Sequence, residues 1–119
     1  MFRFEKLDVW HRAIEFADVV YLLTQRFPGD ERFGLTRQMR RASVSVSSNI
    51  AEGCGRVSDK DFARFIEIAY GSFMEVASQV EISHRQSFVV VEDRNKLKEK
   101  AEQLSRMLSG LRTKLLSTS

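Results

Sequence analysis

Residues 34–53 read GLTRQMRRASVSVSSNIAEG, and this stretch decides the fold. Its apolar and small residues recur at alternating intervals of four and three, which is typical of a helix packed along one seam of a bundle. The seam positions are Leu35, Met39, Ala42, Val46, Asn49 and Gly53. We therefore predict a helix over residues 34–53 that ends at Gly53-Cys54-Gly55, where a glycine supplies the left-handed conformation of a C-cap.

Asn49 is the polar residue on this seam, and the sequence leaves two interpretations of it open. An asparagine at a seam position can fix the register of packed helices at some cost in stability. Alternatively, an asparagine near the end of a helix can satisfy the backbone of a neighbouring loop.

Upstream of this stretch, a helix is predicted over residues 8–27, with Asp8 as its N-cap and Pro28 as its stop. Its apolar residues cover an arc of roughly 220°, whereas a helix needs a stripe of about 100° to face one core. The excess predicts a second buried surface, most simply a contact between subunits of an oligomer.

Downstream, Ser58 and Asp61 resemble a capping box, which predicts a third helix over residues 58–88. A fourth helix is predicted over residues 92–116, because leucine and alanine recur there at the same four-three spacing. Its stripe is formed by Leu97, Ala101, Leu104, Leu108, Leu111 and Leu115.

The 119 residues fit one domain, and a composition with one proline and six glycines favours helices over a fold of many strands. Short connections make successive helices antiparallel neighbours. We therefore predict an all-α, up-down-up-down antiparallel four-helix bundle over residues 1–119, in an oligomer. Residues 87–92 either extend the third helix or form an extended corner, and the tail 117–119 is expected to fray.

Positive charge is concentrated near the second helix: residues 32–64 contain seven Arg or Lys and three acids, in a chain of net charge +3. Arg37, Arg40 and Arg41 project away from the seam at helical spacing, and guanidinium groups suit phosphate oxygens. The candidate nucleic-acid-binding residues are Arg37, Arg40, Arg41, Arg56, Lys60 and Arg64. The alternative is a solvated face that pairs locally with Glu52, Asp59 or Asp61.

The candidate chemistry for an enzyme is weak. Catalysis by Cys54 would need an adjacent histidine, and His11 and His84 are predicted to lie far along other helices. Glu81 and His84 match one half of a di-iron motif, but a second such motif at the same level of the bundle is missing. We expect no enzyme activity, no metal and no cofactor.

Cellular location is predicted from what the sequence lacks. The lone Cys54 cannot form an intrachain disulfide, and the first residues lead into no apolar region of the kind a signal peptide has. No apolar run reaches the length that spans a bilayer. A cytoplasmic protein without a membrane partner is expected.

Several spaced blocks between Phe4 and Glu75 together resemble the bacterial four-helix-bundle proteins called 23S rRNA intervening-sequence proteins. The blocks begin with Phe4-x-x-Leu7-x-Val9-Trp10-x-x-Ala13 and Thr24-x-x-Phe27-Pro28-x-x-Glu31-x-x-Gly34-Leu35-Thr36-x-Gln38-x-Arg40-Arg41-Ala42, and continue with Ser48-Asn49-Ile50-Ala51-Glu52-Gly53 and Arg64-Phe65-x-x-Ile68-Ala69-x-Gly71-Ser72-x-x-Glu75. From Ser78 onward only the heptad pattern is similar.

The resemblance implies a non-enzymatic homopentamer, and a related set of proteins serves as accessory variability determinants beside reverse transcriptases. Together with the charge excess, it leads us to predict an oligomer that binds structured nucleic acid, with RNA favoured, through its basic surface. The alternative is a scaffold for protein assembly or a reverse-transcriptase accessory protein, whose surface contacts protein.

Overall fold

The computed structural model describes residues 1–117, and four long helices make up most of them. They are α1 (Asp8–Thr24), α2 (Leu35–Cys54), α3 (Asp59–Arg85) and α4 (Val91–Ser117). Two short 3-10 helices, Arg3–Lys6 and Gly29–Glu31, precede α1 and α2, and residues 1–117 contain no strand. The predicted all-α class is confirmed, while Thr118 and Ser119 of the predicted fraying tail lie outside the described residues.

The four helices form an antiparallel bundle in which each packs against two neighbours. Helices that follow one another in the chain are adjacent, α1 also contacts α4, and α2 with α3 forms the most extensive pair. The rings of Phe16 on α1 and Phe73 on α3 meet across the centre, with centroids 5.2 Å apart. The up-down-up-down arrangement is therefore confirmed, in a molecule that measures 46 × 23 × 22 Å.

The apolar stripe of α4 lies where its spacing predicts. On α4, Leu111 is half-buried and the other five stripe residues are buried: Leu97, Ala101, Leu104, Leu108 and Leu115. On α3 the buried apolar residues are Phe62, Ala63, Phe65, Ile66, Ala69, Phe73, Val76 and Val80. Burial of side chains of this size supplies the main stabilisation of the bundle.

The predicted N-caps have different outcomes. Ser58 caps α3, because its hydroxyl accepts a hydrogen bond of 3.1 Å from the backbone N–H of Asp61. The prediction for Asp8 is wrong, since Leu7 is the N-cap and Asp8 is the first residue of α1. A carboxylate in the first turn still interacts favourably with the helix dipole.

The helix α2 ends where predicted, with Cys54 as its last residue and Gly55 as its C-cap, but the predicted left-handed conformation of that cap is wrong. No glycine among the described residues has a positive φ, and Gly53 lies inside α2. A Cβ at this position would lie 2.6 Å from the Cβ of Phe65 and 2.8 Å from Cδ1 of Phe62. Gly53 is therefore required by the close approach of α2 and α3 rather than by a turn.

The buried face of α2 is displaced from the predicted seam. Met39, Ala42 and Val46 are buried as expected, but Leu35 and Asn49 are only half-buried. Gly53 of the seam is also buried, and the face further includes Thr36, Ser43, Ser47, Ile50 and Cys54. Small residues there let the backbones approach closely.

Neither interpretation of Asn49 is correct, because its side chain binds its own helix. Its Nδ2 donates to the carbonyl of Ser45 at 2.8 Å and lies 3.0 Å from the Ser45 hydroxyl. That hydroxyl is 2.9 Å from the hydroxyl of Ser72 on α3. Asn49 therefore belongs to a polar link between α2 and α3 rather than to a register-fixing seam.

The third helix ends earlier than predicted, and its end explains the conformation of residues 87–92. Ser87 adopts a left-handed conformation with φ 65°, which removes it from the helix. The backbone N–H of Ser87 donates to the carbonyl of His84 at 2.9 Å, and that of Phe88 donates to Ser83, also at 2.9 Å. These are the two bonds of a Schellman motif, in which glycine is the usual residue at the left-handed position. Of the two alternatives, the corner is correct.

The first helix also ends early, at Thr24 rather than residue 27. Phe27 leaves the helix and is buried, with its ring centroid 5.5 Å from that of Phe88 in the corner between α3 and α4. Val89 is buried beside them. The two corners thus close the same end of the core with apolar side chains.

Much of the wide apolar arc of α1 is covered within one chain. Val9, Ala13, Phe16 and Val20 are buried in the core, while Trp10, Val19 and Leu23 pack against its edge. Leu22 remains 62% exposed. The oligomer that the arc suggested therefore stays a prediction.

A search of the described residues for membrane-crossing segments gives a negative result. Of the helices within residues 1–117, none is both long and apolar enough to cross a bilayer.

Candidate nucleic-acid interface

The six predicted phosphate-binding residues form two groups at opposite ends of α2. Arg37, Arg40 and Arg41 lie in its first two turns, whereas Arg56, Lys60 and Arg64 follow its last residue. From Arg41 to Cys54 the rise of the helix is about 20 Å. The six residues therefore do not form one continuous surface, because α2 separates the two groups.

The first group lines an open groove of about 770 Å³ between the end of α1, the connection to α2, and the first half of α2. We call this depression the arginine groove. It is lined by Tyr21, Arg32, Phe33, Thr36, Arg37, Arg40, Arg41, Val44, Ser45 and Ser48. The described residues that line it include four arginines and no acid, so it is strongly attractive to anions.

Arg40 is fixed in the groove by contacts within the chain. Its Nε donates to the hydroxyl of Thr24 at 2.8 Å, and its guanidinium carbon lies 4.7 Å from the centre of the Tyr21 ring. The Thr24 hydroxyl in turn donates to the carbonyl of Val20 at 2.8 Å. Arg40 therefore joins α1 to α2 and positions one charge at the groove.

Arg37 and Arg41 are exposed on the same face of α2. Neither forms an ion pair in the part of the chain that the structure describes, and the predicted local partner Glu52 is about 16 Å from Arg41 by helix rise. Two charges one helical turn apart are thus available to an external anion.

Phe33 and Tyr21 are the groove residues that the sequence reasoning missed. Phe33 is 76% exposed, and the guanidinium carbon of Arg32 lies 5.5 Å from its ring centroid. Tyr21 is 41% exposed beside Arg40. The available signal was an aromatic residue directly after an arginine, outside any helical stripe, in the connection before α2.

The second group is largely engaged within the chain. The guanidinium carbons of Arg56 and Arg64 lie 4.6 and 5.5 Å from the ring centroid of Phe65, which is only 8% exposed. Arg64 Nε is also 3.9 Å from a carboxylate oxygen of Asp61, which is the local pairing that the alternative interpretation expected. Lys60 is exposed.

Arg3 joins the second group, although the sequence reasoning did not select it. Its Nη1 donates to the carbonyl of Cys54 at 3.1 Å, at the end of α2. A cation at this position provides a hydrogen-bond donor to a carbonyl that the helix leaves unpaired, and its charge interacts favourably with the helix dipole. This end of α2 therefore uses positive charge to stabilise the fold.

The residues considered for catalysis are held in structural contacts. Cys54 is buried, His84 Nδ1 lies 3.0 Å from the carbonyl of Val89, and His11 Nε2 lies 2.6 Å from that of Glu5. Across residues 1–117, no group of three His, Cys, Asp or Glu side chains is arranged to hold a metal ion.

Residues 5–110 match the model of the 23S rRNA-intervening sequence protein family. The chain belongs to this family. The resemblance read from residues 4–75 is thereby extended into α4, where the sequence pattern alone was unspecific. No curated protein matches the chain.

A solved structure gives independent support for the fold of this family member. A protein of unknown function from the S23 ribosomal protein family of Bacteroides thetaiotaomicron is similar, with a TM-score of 0.80 and 21% sequence identity. The alignment covers 87% of this chain and 97% of that one. At this identity the likeness shows a common fold.

Proposed function

We propose that the chain is a non-enzymatic protein that binds RNA through the arginine groove. The observation that carries this proposal is the pair of unpaired, exposed arginines, Arg37 and Arg41, beside the fixed charge of Arg40. Phosphate oxygens accept hydrogen bonds from guanidinium groups, and such interactions dominate affinity for nucleic acids. The family description, which refers to 23S rRNA, supports RNA as the nucleic acid.

The second group of basic residues contributes less in this proposal. Arg56 and Arg64 lie against Phe65, and Arg64 also faces the carboxylate of Asp61 at 3.9 Å, so part of their charge is engaged within the chain. Of the six residues predicted from sequence, Arg37 and Arg41 therefore bind most of the phosphate charge. Arg40 holds α1 and α2 together at the groove, and Lys60 adds a positive charge far from it.

The test is RNA binding by the double variant Arg37→Glu with Arg41→Glu, followed by fluorescence anisotropy over a salt series. We expect weaker binding, and a slope of log K against log salt that falls by about 1.4, because two phosphates of a single strand are no longer neutralised. The matched control is Lys96→Glu with Arg106→Glu, which makes the same charge change at exposed positions of α4. Equal affinities for the two variants would refute the proposal.

Purification separates this function from a protein-binding role. RNA that accompanies the protein at low salt and leaves at high salt supports the arginine groove as an RNA site. A stoichiometric protein partner, such as the reverse transcriptase that the resemblance implies, would instead favour an accessory or scaffold function.

We also propose that the chain self-associates, because apolar side chains remain exposed on two helices. Leu22 on α1 is 62% exposed, and Ile68 and Ile82 on one face of α3 are 45% and 47% exposed. The resemblance implies five copies. Light scattering should give a mass about five times the 13.7 kDa of one chain, and a monomer mass would refute self-association.

A further inference from the structure

We propose that the arginine groove binds an unpaired segment of RNA and stacks one of its bases on the ring of Phe33. This inference rests on the proposed function and adds to it the class of RNA and the residue that recognises it. It is carried by an exposed aromatic ring inside a cationic groove, because an aromatic ring offers nothing to a phosphate but can stack on a base.

The position of Phe33 suits stacking. It lies in the connection between the 3-10 helix Gly29–Glu31 and α2, and the Glu31 carboxylate accepts a hydrogen bond of 3.2 Å from the N–H of Leu35. This bond ties the connection to the start of α2 and so fixes the base of the Phe33 side chain. With 76% of its surface exposed, Phe33 is accessible from the groove.

The exposed ring in the groove favours single strands over duplexes. The groove, of about 770 Å³, has room for a few nucleotides. In a paired A-form helix the faces of the bases are already stacked, and sequence-specific proteins mostly bind unpaired loops and ends. A stacking ring at this position would gain nothing from a duplex.

The second basic group provides an internal comparison. Phe65 also has arginines against its ring, but it is 8% exposed and packs against Gly53. Its ring is therefore part of the core, and no base can reach it. Of these two rings flanked by arginine, Phe33 is the accessible one.

The test compares a fluorescein-labelled 12-nucleotide RNA with the same strand annealed to its complement. We expect the wild-type protein to prefer the single strand, and Phe33→Leu to weaken that binding by about 5- to 150-fold, the loss of one base–aromatic stack. Phe33→Trp should restore it. Phe2→Leu is the matched control, since Phe2 is 72% exposed near the opposite end of the bundle.

A second readout locates the stacked base directly. RNA with 5-iodouridine, which cross-links to stacked aromatic rings on irradiation, should attach to Phe33 in the wild type and should not attach at this position in Phe33→Leu. Circular dichroism before each measurement shows that the variants are folded.

The outcomes distinguish the two proposals. Equal binding of single strand and duplex, unchanged by Phe33→Leu but abolished in the Arg37/Arg41 double variant, would overturn stacking and leave RNA binding intact. Absence of binding to either RNA would overturn both proposals.

Discussion

Replacing Gly53 with alanine tests the closest contact between α2 and α3. The added Cβ would lie 2.6 Å from the Phe65 Cβ, 2.8 Å from Phe62 Cδ1 and 3.3 Å from the Phe62 carbonyl oxygen. Carbon atoms in contact are ordinarily about 3.5–4.0 Å apart, so the helices must separate by roughly 1 Å. A change of rotamer cannot relieve the first contact, because the Cβ of Phe65 is fixed to its backbone.

The change in the free energy of unfolding on Gly53→Ala follows from two opposing effects. Overpacking of a well-filled core costs about 1–3 kcal/mol, and the separation also disturbs Arg56 and Arg64 against Phe65. Alanine regains up to about 1 kcal/mol relative to glycine in a helix. We therefore expect Gly53→Ala to lower the free energy of unfolding by about 1–2 kcal/mol, which is a fall of several degrees in Tm.

The assay is urea denaturation followed by circular dichroism at fixed protein concentration. Gly71→Ala and Gly110→Ala are matched controls, because a Cβ at either position has no atom within 4 Å. Both lie inside helices and should stabilise the protein by about 0.5–1 kcal/mol. If Gly53→Ala stabilised the protein as much as Gly71→Ala, the close approach of α2 and α3 would be refuted as the reason for this glycine.

Three further substitutions test local features of the fold. Ser87→Gly should stabilise the protein by about 0.5–1 kcal/mol in the same denaturation assay, because glycine removes the strain of the left-handed conformation, and a destabilised variant would contradict the Schellman motif. Ser58→Ala should cost about 1 kcal/mol through loss of the N-cap of α3, whereas an unchanged midpoint would show that the cap is dispensable. Arg40→Ala should cost about 1–2 kcal/mol, because it removes the hydrogen bond to Thr24 and the contact with Tyr21, while Arg37→Ala should stay within about 0.5 kcal/mol of the wild type. Equal stabilities of the two arginine variants would refute the distinction between a positioning and a free arginine.

The arginine groove shows how far the candidate site could be predicted. The spacing of Arg37, Arg40 and Arg41 places them off the buried face, and the structure has Arg37 and Arg41 exposed. Spacing within one helix says nothing about α1, and so could not predict that Arg40 is fixed on Tyr21 and Thr24. Phe33 was missed because it lies in a connection between helices, where no helical periodicity indicates whether a side chain is buried or exposed.

The local sequence by itself determined the helices of this protein, because the apolar period of each segment and a strong cap such as Ser58 act within a few residues. It also determined the leucine stripe of α4, which faces a single core. Only the tertiary structure decided the role of Gly53, because Phe62 and Phe65 on another helix leave no space for a side chain at this position. Tertiary structure likewise separated the basic residues into two groups, one lining an open groove and one engaged within the chain. The reason is that the two groups lie at opposite ends of α2, although they belong to one basic stretch of the sequence.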